Sequence, residues 1–233
     1  MGQPLWQHFL IDEDIISKIQ KSAKKISQKQ DIILEIWPWR WAITKYLYML
    51  SNKYIGIEKD SSLLRFHSYY KRKKDIIYED ACTYNVFFYN KINPANTIIV
   101  ANLPYYISSP ILRRFFSFNK YNCRAWITVI QYEQAQKIIT AAKKKSFLRW
   151  ILNNIYNISI ISHIPPHSFK PQPKIRSSLI LICQNEKPII SKYNRQKFCW
   201  LLDKLHSYKR KTLWKVAKLI SKNFAIDILV PNW

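Results

Sequence analysis

Glycine is nearly missing from this chain: two residues of 233, where average usage of about 7% would give about 16. Loops that need a left-handed backbone, or a close approach to a ligand, depend on glycine. Read at face value, the chain lacks the material for a Gly-rich cofactor loop. Acidic residues are scarce as well. Fourteen Asp and Glu face 38 Lys and Arg, a formal charge of +24. Such a charge opposes compaction unless a polyanion neutralises it, which points to nucleic acid. A bias toward A- and T-rich codons accounts for the many Lys, Ile, Asn and Tyr, but not for the shortage of Asp and Glu. The four cysteines, Cys82, Cys123, Cys183 and Cys199, form no Cys-x-x-Cys pair and lie at ligand spacing from no histidine. That excludes a structural zinc and fits a reducing cytoplasm; no metal is expected. The chain has no apolar run of about 18 residues, so no membrane-spanning helix and no membrane partner is expected. No signal peptide is expected either.

What is present suits a folded domain. Hydrophobic residues make up 48% of the chain and aromatics 15%, enough for a core and for rings interleaved with basic charge, as RNA binding requires. Apolar runs alternate with amphipathic stretches, the pattern of βαβ units. Strands are predicted at 31–36, 54–58, 75–79, 97–101, 124–130, 155–164 and 177–183. Helices are predicted at 42–51, 61–70, 110–116 and 131–142. The last two strands have no clear helix between them and are expected to close the sheet as an antiparallel pair. Past Gln184 the composition shifts, and Asn185-Glu186-Lys187-Pro188 reads as a linker. We therefore expect a domain over 1–184 and a short basic helical domain over 185–233, with helices near 193–207 and 211–223.

The most informative residues are Asn102-Leu103-Pro104-Tyr105. They follow the run Thr97-Ile98-Ile99-Val100-Ala101, which predicts a buried parallel strand. They precede Ile107-Ser108-Ser109-Pro110, where Ser108 or Ser109 is expected to cap a helix and Pro110 to sit in its first turn. An amide, a proline and an aromatic thus stand at the carboxyl end of a strand, where open α/β sheets bind ligands. Methylation of the exocyclic nitrogen of adenine needs such groups. That nitrogen's lone pair is delocalised into the ring and is a poor nucleophile. Oxygens that accept its two hydrogens turn the lone pair toward an electrophilic methyl, while an aromatic ring stacks on the flipped base. We expect the Asn102 side-chain oxygen and the Leu103 or Pro104 carbonyl to accept, Pro104 to fix the turn, and Tyr105 to stack.

This stretch is similar to the adenine-specific methyltransferases that use S-adenosylmethionine, and the wider run 101–112 resembles the ribosomal RNA adenine dimethyltransferases. The resemblance implies a Rossmann-like class I methyltransferase fold, an α/β seven-stranded mostly parallel sheet, followed by a small C-terminal helical domain. Two further motifs carry it. Pro165-Pro166-His167-Ser168-Phe169-Lys170-Pro171-Gln172-Pro173-Lys174 resembles the family's proline-rich loop, which implies that Phe169 stacks on the adenine's other face. Lys170, Lys174 and Arg176 would touch phosphates. Ser207-Tyr208-Lys209-Arg210-Lys211-Thr212-Leu213 is similar to a basic segment of the family. Lys209, Arg210 and Lys211 are read either as an RNA contact or as a solvated helix end.

The cofactor needs its ribose hydroxyls accepted, its adenine edge read and its aminoacyl end held. Glu58 ends the second predicted strand, where a carboxylate accepts both hydroxyls. Asp80 and its neighbour Glu79 compete by one residue of register for the adenine amino group, and the resemblance favours Asp80. Gln7-His8-Phe9-Leu10 resembles the family's opening Gln-Asn-Phe-Leu segment, which implies that His8 and Leu10 close over the methionine end, with Asn102 beside them. His8 stands where Asn is commoner and donates the same hydrogen bond.

After the first predicted strand the family carries Glu-Ile-Gly-Pro-Gly-x-Gly. Here the residues are Glu35-Ile36-Trp37-Pro38-Trp39-Arg40-Trp41, so Trp37 falls on a cofactor-binding position and each glycine position holds one of nine tryptophans. Trp6 also falls where the family has glycine, while Trp126, Trp150, Trp200 and Trp214 are undecided. Either the site has decayed, or the gene's UGA codons encode glycine and have been rendered as tryptophan. The second fits better, because decay would not replace three glycines by one rare residue beside an intact motif.

The expected activity is S-adenosylmethionine-dependent dimethylation of the N6 atoms of two adjacent adenines near the 3′ end of small-subunit ribosomal RNA. The partner would be that RNA or a pre-30S particle, and the protein a monomer. The alternatives are a macrolide-resistance type methyltransferase of large-subunit RNA, or a non-catalytic RNA-binding assembly factor if the tryptophans are real.

Overall fold

The computed structural model describes residues 8–39, 42–51, 53–63, 75–117, 123–139, 146–191, 194–208, 211–212, 214–216 and 218–219. Trp6, Trp41, Lys209 and Arg210 lie outside them, as do most of the helix expected at 61–70 and part of the last one at 211–223. The elements in chain order are β1 (Phe9–Leu10), α1 (Glu13–Ile26), β2 (Ile32–Ile36), α2 (Thr44–Leu47), β3 (Lys53–Glu58), β4 (Ile76–Tyr78), α3 (Val86–Tyr89), β5 (Thr97–Asn102), α4 (Tyr105–Ser117), β6 (Ala125–Gln131), α5 (Tyr132–Ile139), α6 (Phe147–Ile155), β7 (Tyr156–Ile164), β8 (Phe169–Lys170), β9 (Ser177–Gln184) and α7 (Arg195–Ser207).

Seven strands form one sheet in the order β4-β3-β2-β5-β6-β9-β7. From β4 to β6 neighbouring strands run parallel. β9 is inserted antiparallel between β6 and β7, as the absence of a helix between the last two predicted strands implied. β5 is buried along its whole length, because both faces are covered. Alternate residues serve opposite faces. Ile98 and Val100 join Ile15, Ile16, Ile19 and Ala23 of α1 in one cluster, while Ile99 and Ala101 join Ile111, Leu112 and Phe115 of α4 in the other.

α1 was not foreseen, although its signals are plain. Asp12 caps it by accepting from the Asp14 and Ile15 amides, Glu13 and Asp14 open it, and Lys24 and Lys25 close it, each favourable with the helix dipole. α6 was also missed, since its apolar residues run directly into β7 and mask the change of period. Two expected helices change. Only Thr44–Leu47 of the predicted 42–51 is α-helical. The helix expected from Pro110 begins instead at Tyr105, so Pro110 sits inside α4 rather than in its first turn. Pro104, directly before it, starts the helix: its carbonyl accepts from the Ile107 and Ser108 amides at 3.1 Å each. Ser108 is not a cap; its hydroxyl donates back to the Tyr105 carbonyl at 3.0 Å.

Past Gln184, α7 lies against α4 and α6. Cys199 is buried in the main core, Phe198 and Leu202 pack on it, and Asp203 pairs with Arg113 of α4.

Candidate active site

Strand order places the site. Because β4, β3, β2 and β5 are neighbours running the same way, Asp80, Glu58, the 37–39 loop and Asn102 stand in a row along the carboxyl edge of the sheet. That edge is where open α/β sheets take ligands.

Asn102 is the last residue of β5 and is buried, at 7% exposure. Its Nδ2 donates to the His8 carbonyl at 3.2 Å, which aims the amide. The Leu103 amide donates to the Val129 carbonyl at 3.3 Å, so the turn is tied to β6. With the Pro104 carbonyl engaged by the first turn of α4, the Leu103 carbonyl is the better candidate for the second acceptor of an adenine amine. Tyr105 is half-buried; its hydroxyl meets the Ser177 hydroxyl at 2.7 Å, and its ring lies 5.5 Å from that of His8, tilted by 31°. Phe169 is buried in β8. His8, Trp39, Asn102, Leu103, Pro104, Tyr105 and Phe169 line one cavity of about 10 Å³, too small for a purine. The two rings assigned to stacking thus border the same space, together with His8 and Trp39.

The N-terminal segment and the proline-rich loop form one cover over this space. β1 pairs antiparallel with β8, Phe9 opposite Lys170 and Leu10 opposite Phe169. His8 Nδ1 lies 2.7 Å from the Pro171 carbonyl. The Ile11 amide donates to the Ser168 carbonyl at 2.9 Å, and the Ser168 hydroxyl to Asp12 at 2.6 Å. The Ser168 bond holds the Asp12 carboxyl below its usual range. Lys170, Lys174 and Arg176 are all exposed on this cover. Lys170 also borders a cleft of about 340 Å³ shared by Leu10, Glu35, Trp39 and Asn102. Lys211 is exposed at the far end of the described chain, 5.9 Å over the Tyr208 ring.

Glu58 is buried at the end of β3. Burial pushes its carboxyl up to about 7, against the amides of Asp60 and Trp39 that donate to it at 2.9 and 3.2 Å. Asp80 is partly exposed and Glu79 exposed. Burial raises the Asp80 carboxyl, but the Lys59 ammonium at 2.7 Å and the Cys82 amide at 2.8 Å outweigh it and lower the pKa.

Three neighbours escaped sequence reading. Glu35 is fully buried beneath the loop and pushed up to about 7 by burial, held by the hydroxyls of Tyr54 and Thr44 at 2.5 and 2.7 Å. Gln134 bridges α5 to α4, accepting from Ser108 at 2.6 Å and donating to Ser109 at 2.9 Å. Arg114 of α4 reaches across to donate to the carbonyls of Cys82, Thr83 and Tyr84, just past Asp80. None of the three has a sequence spacing that announces its partner.

The residues fit S-adenosylmethionine at Glu58, Asp80 and Asn102, and fail to fit at one place. The indole of Trp39 is buried between these groups: its Nε1 donates to the Asn102 carbonyl at 3.0 Å, and its ring meets Phe9 edge-on at 5.4 Å. Among the described residues no group of three or more His, Cys, Asp or Glu is placed to hold a metal, and no helix is long and apolar enough to cross a membrane.

The family model described as ribosomal RNA adenine dimethylase matches residues 3–228. A ribosomal RNA small subunit methyltransferase A from Francisella tularensis subsp. novicida is 33% identical over 229 residues, covering 96% of this chain and 86% of the relative. The protein of the same name from Clostridium acetobutylicum is 30% identical over 220 residues, covering 92% and 78%. Among solved structures, a dimethyladenosine transferase from Plasmodium falciparum superposes with a TM-score of 0.72 at 23% identity, over 96% of this chain and 85% of that one. The 23S rRNA methyltransferase ErmE gives 0.68 at 17%, over 94% and 91%. Sheet order, the Asn102 turn and these likenesses converge: the chain belongs to the ribosomal RNA adenine dimethylase family.

Proposed function

We propose that this protein dimethylates the N6 atoms of two adjacent adenines near the 3′ end of small-subunit ribosomal RNA, on the RNA or on a pre-30S particle, as a monomer. The observation that carries the reading is the buried Asn102 amide, tethered through Nδ2 to the His8 carbonyl and lining the same cavity as Tyr105 and Phe169. The relatives at 30–33% identity are named for the small subunit; the likeness to a 23S enzyme is one of fold.

S-adenosylmethionine supplies an electrophilic methyl. The chain's residues prepare its acceptor. Asn102 Oδ1 and the Leu103 carbonyl take the two amine hydrogens, so the nitrogen lone pair leaves conjugation. Tyr105 and Phe169 hold the base flat once His8 has withdrawn from the Tyr105 face. The buried setting strengthens both hydrogen bonds by excluding water. Glu58 holds the ribose and Asp80 the adenine edge. Asn102 is neutral and serves as an acceptor, and the amine proton passes to water. Lys170, Lys174, Arg176, Lys209, Arg210 and Lys211 contact RNA phosphates. We read 185–233 as a short basic helical domain, of which α7 is described.

One observation favours a second reading. If Trp39 is the native residue, its indole fills the site and the protein is a non-catalytic RNA-binding factor. Incubation with labelled cofactor and unmethylated small-subunit particles, followed by nucleoside mass spectrometry, tests both. Dimethyladenosine at two neighbouring positions supports the enzyme; RNA binding without methyl transfer supports the factor.

A further inference from the structure

We infer that the working polypeptide carries glycine at positions 37 and 39, and that the tryptophans written there are UGA codons read with the wrong code. Two independent observations carry this, and the first owes nothing to the proposed activity. Trp37 has φ of 59° and Trp39 of 54°. Both lie in the left-handed region, which bulky L-residues avoid and glycine enters freely. Among the described residues the only other positive φ outside glycine is at Lys91. The described tryptophans at 126, 150, 200 and 214 have none. Left-handed backbone is therefore a property of these two positions and not of tryptophan in this chain. The loop cannot relax out of it easily. The Trp37 amide continues the ladder by donating to the Ile57 carbonyl at 2.8 Å, and the Trp39 amide is fixed on Glu58 at 3.2 Å.

The second observation rests on the proposed function. A ligand reaching from the Glu58 carboxylate to Asn102 must cross the volume where the Trp39 indole sits, since its backbone is bound to one and its Nε1 to the other. With glycine at 39 that volume opens, the Asn102 carbonyl is released, and the Trp39 amide bond to Glu58 survives unchanged. Removing the indole and relieving the backbone are one substitution, which is what a single misread codon would produce.

Peptide mass spectrometry of the protein isolated from its own cells decides the matter. Glycine at 37 and 39 is the expected result, and tryptophan at either position overturns the inference. A second measurement uses the chain as written and its W37G/W39G variant, both made in a host with the standard code, with S-adenosylmethionine titrated by calorimetry. The variant is expected to bind at least tenfold more tightly; equal affinity with measurable binding in both overturns the blockage by Trp39. If native glycine is found and the variant shows no binding at all, the inference on residue identity stands and the methyltransferase reading fails.

Discussion

The imidazole of His8 covers the ring of Tyr105, 5.5 Å away and tilted by 31°. The face on which a flipped adenine would stack is held by a side chain of the N-terminal segment, itself latched to the Pro171 carbonyl. A base entering the site replaces one aromatic partner with another.

That exchange predicts a graded series at Tyr105. Stacking on an aromatic ring is worth about 1–3 kcal/mol per base, so Tyr105→Ala should lower kcat about 10–100-fold, with cofactor affinity within about twofold. Tyr105→Phe keeps the ring and loses only the hydroxyl contact to Ser177, and should retain most of the activity. Single-turnover methylation of the glycine-restored chain measures both, and equal losses in the two variants would refute the stacking role.

Asn102→Ala removes an acceptor aimed at the reacting amine, a loss of about a hundredfold in rate by analogy with single groups of preorganised sites. RNA affinity should stay unchanged, because phosphate contacts elsewhere supply most of it. Filter binding beside methyl incorporation separates the two; parallel loss of binding would sink the assignment.

Glu58 and Glu35 both have folded pKa values near 7, raised by burial from 4.5. The sign for stability follows. Each carboxyl is favourably buried while protonated, so that part of the stability is complete below about 4.5 and is lost as pH rises through about 7. For Glu35 the ceiling is about 3 kcal/mol, and Glu35→Gln should flatten the fall in urea midpoint between about pH 5 and pH 8. Cofactor affinity should run the other way. Ribose hydroxyls donate to an ionised Glu58, so in the glycine-restored chain binding should strengthen as pH rises through about 7, and Glu58→Gln should bind weakly with no such trend.

Arg114 is a positioning residue. It clamps the carbonyls of residues 82–84, in the turn where Asp80 accepts from the Cys82 amide and from Lys59. Arg114→Ala should raise KM for the cofactor about tenfold with kcat little changed, and Arg114→Lys should recover only part of that loss, since one ammonium cannot span three carbonyls. A fall in kcat alone, or a matching loss in Ala and Lys variants of thermal stability only, would show a structural role instead.

Much of the fold was legible because strands read as short β-branched runs; all seven strands of the main sheet were foreseen within about two residues, whereas the two-residue strands β1 and β8 were not. The helices were harder. α4 starts five residues before Pro110, because Pro104 at its threshold does the work assigned to the later proline. The places of Asn102 and Glu58 at the ends of β5 and β3 could be read since strand ends announce themselves in sequence. Glu35, Gln134 and Arg114 could not, because their partners lie on other elements and no local pattern encodes such distances.

The amide of Leu103 points away from the cavity and into the neighbouring strand, and the residue is almost wholly buried. The catalytic turn is therefore stitched into the middle of the sheet. Deuterium should reach this amide only when the whole molecule opens, so the enzyme ought to lose its chemistry and its architecture at one and the same denaturant concentration.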